Sequence, residues 1–481
     1  MNETTQTLTL LEKISKILVD IDDFVWGIPL IVIIIATGIF LTTRLGLLQI
    51  RHLLKALKFM IKNEECGNGE VSSFGALCTA MSATIGTGNI VGVATAISTG
   101  GPGALFWMWI AAFFGMATKY AEGLLAVKYR EVGDDGHSLG GPFYYIEKGM
   151  GRNWKWLAKI FAFFGVCVGL FGIGTFTQIN GITSAVNNFF DPNNENVVTI
   201  LGMEYSWSIV IAGLLVTICA AMVIIGGLQR ISSVSQVVVP FMAIIYVVFC
   251  VLVLVFNFNK IPAAFAEIIE GAFGLRAAAG GALGAIVVAM QKGIARGIFS
   301  NESGLGSAPI AAAAAKTNEP VRQGLVTMTG TFIDTIIICT LTGLTIVLTG
   351  AWSVDGLEGV AVTTKAFQTG LPFSETVASF VLMLCLVFFA FTTILGWDYY
   401  SERCLEYLSG GKQKTVLTYR WLYIICVFIG PYTTVSAVWT IADIFNGLMA
   451  LPNLIALIAL NGVVVSETKK YFEKARRNTL K

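Results

Sequence analysis

Residues 72–98 read SSFGALCTAMSATIGTGNIVGVATAIS. The stretch is apolar and long enough to cross a bilayer, which takes roughly 20 residues of helix. Yet Gly86, Gly88 and Gly92 cluster at its middle. Glycine and small polar residues do not hold a continuous lipid-facing helix. At that depth irregular backbone is tolerated only where it lines a cavity or lies inside protein. The reading is a helix broken in mid-membrane. Residues 281–315, GALGAIVVAMQKGIARGIFSNESGLGSAPIAAAAA, repeat the anomaly, with Gly293 to Pro309 rich in glycine and polar groups.

The rest of the chain agrees with a membrane protein. Of its 481 residues 55% are hydrophobic and 13% charged, with a mean hydropathy of +0.74; a soluble domain carries about 25% charged residues. The nine cysteines form no C-x-x-C pair and read as small apolar fillers. His52 and His137 fall in polar loops, which argues against a histidine metal site. The start, MNETTQTLTLLEK, lacks the basic region of a cleavable signal peptide.

Eleven spans are predicted, near 26–43, 71–99, 103–128, 156–186, 205–226, 232–257, 281–312, 323–349, 376–400, 419–438 and 440–465. Lysine and arginine test that count. They crowd the loops after the first and third spans, the later loops of the same side and the tail, and the opposite side is sparse. The asymmetry predicts an outside N-terminus and a cytoplasmic C-terminus. Stretches 9–24, 51–62 and 261–273 are amphipathic and predicted to lie along the interface.

The predicted organisation follows from the two breaks, because each opens a run of five helices and an odd number of crossings inverts the second run. Residues 1–70 form an N-terminal amphipathic helix, a first span and a basic segment. Residues 71–258 form one five-helix repeat, 259–280 an amphipathic linker, 281–465 the inverted second repeat, and 466–481 a basic tail. Interrupted spans in corresponding positions mark a transporter binding site. The plainer alternative is a pair of glycine-rich packing helices.

Each break has a definite chemistry. Half-helix N-termini, expected at Thr87–Asn89 and at Ser300–Glu302, present amides and positive dipole ends that suit a carboxylate. Half-helix C-termini, expected near Ala83–Ile85 and Arg296–Phe299, present carbonyls that suit an ammonium group or sodium. A zwitterionic amino acid with a cation matches both. Charges near the bilayer need partners. Lys292 and Arg296, four apart, are expected to face a cavity with Glu302 neutralising one of them, or else to form with it a structural ion pair that holds the broken helix together. Lys119 with Glu122 reads as an interfacial pair, Asp398 with Glu402 as solvated helix-end charges, and Asp334 as a lone charge within the eighth span.

At this point the residues resemble a known family. Residues 82–131, SATIGTGNIVGVATAISTGGPGALFWMWIAAFFGMATKYAEGLLAVKYRE, are similar to the alanine/glycine:cation symporters, as are GGPFYYIEKGMG, ARGIFSNESGLGSAPIAAAAA and ILGWDYYSERC. The resemblance implies an all-α integral-membrane, leucine-transporter-type fold of two inverted five-helix repeats behind one extra helix. It implies import of alanine or glycine with sodium, and among relatives glutamine or protons, with no other cofactor and the lipid bilayer as surroundings. By the same motifs Thr84, Gly86, Thr87, Gly88 and Asn89 would hold the substrate carboxylate. Gly297, Phe299, Ser300 and Asn301 would complete the amino-acid site. Gln178 would line it and Trp397 would wall it, although Gln178 could be an interhelical hydrogen bond and Trp397 an interface anchor. Ala83 and Ile85 carbonyls with Thr392 and Thr393 hydroxyls would bind sodium, although the threonines could simply bond back to their own helix.

A membrane enzyme would need a catalytic constellation. The sequence offers no HExxH, no paired acid motif and no strand ahead of GTGN to make a nucleotide loop. A channel would need a filter loop, and none is evident.

Overall fold

The computed structural model describes residues 10–62, 67–132, 137–200, 202–274, 281–433 and 435–479. Among them are ten helices long and apolar enough to cross a membrane, and a bent pair, Ser73–Thr84 with Gly88–Gly100, that makes an eleventh. The spans after the first two are Gly103–Tyr129, Arg152–Phe190, Trp207–Ile224, Gly227–Phe256, Leu283–Asn301, Pro320–Thr349, Glu375–Ser409, Gln413–Tyr432 and Thr440–Ala459. The count matches the expectation.

Burial sorts the spans. The fifth and sixth leave Ile211, Leu215, Ile218, Val237 and Ile244 exposed, a surface that water would not tolerate but acyl chains would. The third is 83% buried over its most apolar stretch and forms the axis of the bundle. Its glycines explain how neighbours come so close. A Cβ on Gly123 would lie 2.5 Å from the Thr327 hydroxyl of the eighth span, and one on Gly115 2.3 Å from that of Ser303. Helix Ile261–Ala272, one of the expected interfacial stretches, packs Ala264, Ile268 and Ala272 inward. The N-terminal helix Leu10–Val25 precedes the first span, and residues 1–9 lie outside the described region.

The basic loops do gather on one face. The Arg130 guanidinium donates to the carbonyls of Ala313 (2.7 Å), Ala315 (2.6 Å), Asn68 (2.7 Å) and Thr317 (2.5 Å). It thereby fastens the loop after the third span to the ends of both broken spans. Beside it Val71 and Ala315 form a parallel bridge, with the Lys316 amide 2.7 Å from the Val71 carbonyl. A planar fork reaches four carbonyls; a lysine ammonium cannot. Arg130→Lys is therefore expected to destabilise the protein by about 2 kcal/mol, read as a lower midpoint of thermal unfolding in detergent. An unchanged midpoint would show that the fork holds nothing.

Candidate functional site

The first break begins where helix Ser73–Thr84 stops at Ile85, whose backbone is extended (φ −80°, ψ 96°). The chain resumes as a wide π-helical turn over Gly88–Gly92, and the two halves meet at 53°. Asn89 folds back to close the turn. Its side-chain Oδ1 accepts the Gly86 amide at 2.9 Å, and its Nδ2 donates to Asp334 Oδ1 at 2.6 Å.

Four other spans converge on that turn. Gln178 of the fourth span accepts the Thr87 amide at 3.3 Å. The Thr393 hydroxyl of the ninth lies 3.3 Å from the Ile85 carbonyl. Phe299 and Ser300 of the seventh press on Gly88, where a Cβ would stand 3.4 Å from the Phe299 ring and 3.3 Å from Ser300 Cα. Gly86 is tighter still, its missing Cβ lying 2.4 Å from Thr393 Oγ1 and 3.2 Å from Gln178 Oε1. The Thr87 hydroxyl is buried without a partner. The Ile85 carbonyl, the unpartnered Thr87 hydroxyl and the amides of the turn thus lie close together.

The second break is real but lies later than expected. The helix runs unbroken to Asn301, and the reversal spans Glu302 (φ +55°), Gly304 (φ +88°) and Gly306 (φ +83°) before the short helix Ala308–Ala312. Gly293 and Gly297 belong to regular helix. They serve packing, since a Cβ on Gly293 would lie 2.2 Å from the Ala104 carbonyl oxygen and one on Gly297 3.3 Å from Met108. Ser300–Glu302 is therefore the carbonyl end of the long half-helix, not the amide end of a new one. The amide end sits at Ser307–Ala308, and Arg296–Phe299 is not a terminus.

Ser300 and Asn301 turn toward the eighth span. The Ser300 hydroxyl donates to Asp334 Oδ2 at 3.0 Å, and Asn301 Nδ2 donates to the Thr335 hydroxyl at 3.0 Å. Thr335 in turn donates to Asp334 Oδ2 at 2.7 Å. Asp334 thus accepts from both breaks at once. The sequence showed it only as a charge without a role.

Trp397 is completely buried, edge-on to Tyr400 with ring centroids 5.5 Å apart, far from an interface anchor. Ala83 lies against Gly396, whose Cβ would stand 2.5 Å from the Ala83 amide nitrogen. Thr84 bonds back to the Ala80 carbonyl at 2.8 Å. Both threonines bond back to the Phe389 carbonyl at 3.0 Å, as the plainer alternative has it; Thr392 also faces Met242 of the sixth span, and of the pair Thr393 alone reaches the break.

The expected charge pairings change. Lys292 and Arg296 do line a cavity, about 70 Å³, on the far side of Phe299, but Arg296 meets Asp443 at 3.4 Å rather than Glu302. Beyond it opens a vestibule of about 790 Å³ past Gly92, Thr95 and Trp352. Lys119 and Glu122 are not interfacial; both are buried beneath the second break. Asp398 and Glu402 are both buried, not solvated, and Glu402 pairs with Arg420 at 2.5 Å.

MhsT, solved in complex with L-phenylalanine, superposes with a TM-score of 0.56 at 11% identity, covering 83% of this chain and 98% of that one. The fold is the leucine-transporter type. An uncharacterized transporter of Haemophilus influenzae is 54% identical, covering 97% of this chain and 98% of its own. AgcS of Methanococcus maripaludis, a sodium/alanine symporter, is 46% identical over 96% of this chain and 98% of its own. GlnT of Bacillus subtilis, named a probable sodium/glutamine symporter, is 37% identical over 94% and 89%. The family described as the sodium:alanine symporter family matches residues 11–481. With that match and those relatives, the chain belongs to the sodium:alanine symporter family, whose members are multi-pass membrane transporters and not enzymes.

Proposed function

We propose that this transporter imports a small neutral amino acid, alanine or glycine, together with sodium, by alternating access. The observation that carries the reading is the juxtaposition of the Ile85 carbonyl with the Thr393 hydroxyl at one end of the GTGN turn, and of its amides with Gln178 at the other. One unwound segment then serves both ligands. Ala83 and Ile85 carbonyls with the Thr393 hydroxyl offer sodium the oxygen ligands it prefers. The substrate carboxylate takes the amides of Gly86–Asn89 in place of their present partners Asn89 and Gln178, and ordering by the ion prepares the site for the amino acid. On this reading Phe299, which presses on Gly88, and Trp397 limit the side chain that the site admits. One methylene is worth only about 1–3 kcal/mol of discrimination, so glycine and alanine both pass.

We place the protein in the cell membrane with its N-terminus outside and the basic face in the cytoplasm. A zwitterion moved with one sodium carries net charge, and the membrane potential then contributes about 2.3 kcal/mol per 100 mV. In proteoliposomes, labelled alanine is expected to accumulate when a sodium gradient is imposed and not when a pH gradient alone is imposed. Uptake driven by protons alone, or by glutamine in preference to alanine, would replace this reading with that of the glutamine or proton-coupled relatives.

A further inference from the structure

Beneath the second break lies a buried polar cluster that transport, as described so far, does not use. Glu122 of the third span is fully buried. Its Oε1 accepts the Gly304 amide at 3.2 Å and the Asn453 side-chain amide at 2.7 Å, while its Oε2 has no partner. Glu302, at the left-handed turn of the break, is also buried and accepts the Ser307 hydroxyl on Oε2 at 2.6 Å. The hydroxyls of Tyr400 and Ser303 are buried without partners beside them.

Charge does not balance there. The positive group that acts on Glu122, Glu302 and Asp334 alike is Lys119, a single ammonium. Asp334 is served by three neutral donors and Glu122 by two, but Glu122 also feels the Glu302 charge, shares the Lys119 ammonium with it, and keeps one bare oxygen. The groups turned toward the pair are Lys119 on the third span, Asp334 on the eighth, Tyr400 on the ninth, and Tyr145, which reaches it through Asn453. A carboxylate stripped of water costs several kcal/mol unless its charge is met. Two like-charged carboxyls in one site cannot both ionise freely.

We propose that Glu122 and Glu302 bind one proton between them at neutral pH, as a site distinct from the sodium and amino-acid site. A proton needs only one bare oxygen, which is what Glu122 offers. Sodium would need several converging oxygens, and Lys119 would repel it. The bound proton keeps Glu122 attached to the Gly304 amide, and so ties the break to the third span. Its loss sets like charges on either side of Gly304 and loosens that tie.

The inference stands apart from substrate identity, so its test does not depend on uptake. Infrared spectra of the full-length protein in nanodiscs at pH 7 should contain the carbonyl band of a protonated carboxyl. Glu122→Gln and Glu302→Gln should each lose that share, because either amide leaves one carboxylate matched by Lys119. A wild-type spectrum with no protonated carboxyl overturns the proposal, a measurement that needs no variant to fold. So does a band that both variants keep, or one that vanishes when sodium is added at constant pH, which would make the site a sodium site. Sodium-driven alanine uptake measured alongside separates the failures. Uptake without the band sinks this inference alone, and the band without uptake sinks the proposed function alone.

Discussion

Asp334→Ala is expected to lower sodium-driven alanine uptake more than a hundredfold while the protein still folds and reaches the membrane. The side chain is completely buried and accepts from Asn89 at 2.6 Å, Ser300 at 3.0 Å and Thr335 at 2.7 Å. Asn89 closes the first break and Ser300 ends the long half of the seventh span, so this carboxylate is what holds the two interrupted helices in register. Removing it orphans three buried donors at about 1–3 kcal/mol each, and a misplacement of about 1 Å in a positioned site costs about a hundredfold in rate. Asparagine should rescue only in part. An amide nitrogen in place of Oδ1 would meet the Asn89 donor, and one in place of Oδ2 would oblige the Ser300 and Thr335 hydroxyls to turn and accept it. Initial rates of labelled uptake, with surface expression and thermal midpoint measured on the same preparation, decide the matter. If Asp334→Ala transports within a few-fold of wild type, Asp334 is not the clamp between the breaks.

The sequence made the spans and the first break legible because both are local. Apolar length sets a span, and GTGN puts three breaking features within four residues. The second break was misplaced for a physical reason. Gly293, Gly297, Gly304 and Gly306 look alike as letters, yet the first two are glycine for lack of room beside the third span and the last two for positive φ. Only tertiary contact tells those causes apart. Lys119 and Glu122, three apart near the end of a span, read as surface charges because a helix face alone does not reveal burial. Glu122's partner Asn453 is 331 residues away. Asp334 was visible as a charge that needed explaining, but its donors come from two breaks that only the folded bundle brings together. Arg296 found Asp443 instead of Glu302 because Glu302 turns off the helix face at its left-handed backbone.

Gly86→Ala tests the shared ion-and-substrate turn most directly. The backbone at Gly86 does not have the positive φ that excludes a side chain, so the effect is steric. The added methyl would sit 2.4 Å from Thr393 Oγ1 and 3.2 Å from Gln178 Oε1. Thr393 must then leave the Ile85 carbonyl, and Gln178 must give way from the Thr87 amide; overpacking of this kind costs about 1–3 kcal/mol. Because the displaced groups are those assigned to the ion and to the carboxylate turn, the loss should fall on ligands first: the sodium concentration for half-maximal uptake should rise about 10- to 100-fold, the equivalent of about 1.4–2.8 kcal/mol. Gly92→Ala is the control on the same π turn, since a Cβ there meets nothing within 4 Å, and alanine is the better helix former by about 1 kcal/mol. It should transport with wild-type sodium dependence. If Gly86→Ala keeps that dependence too, sodium does not bind between Ile85 and Thr393, since no ion could share that space with the methyl. If both variants lose it equally, the break tolerates no added bulk anywhere, and the loss no longer locates the ion.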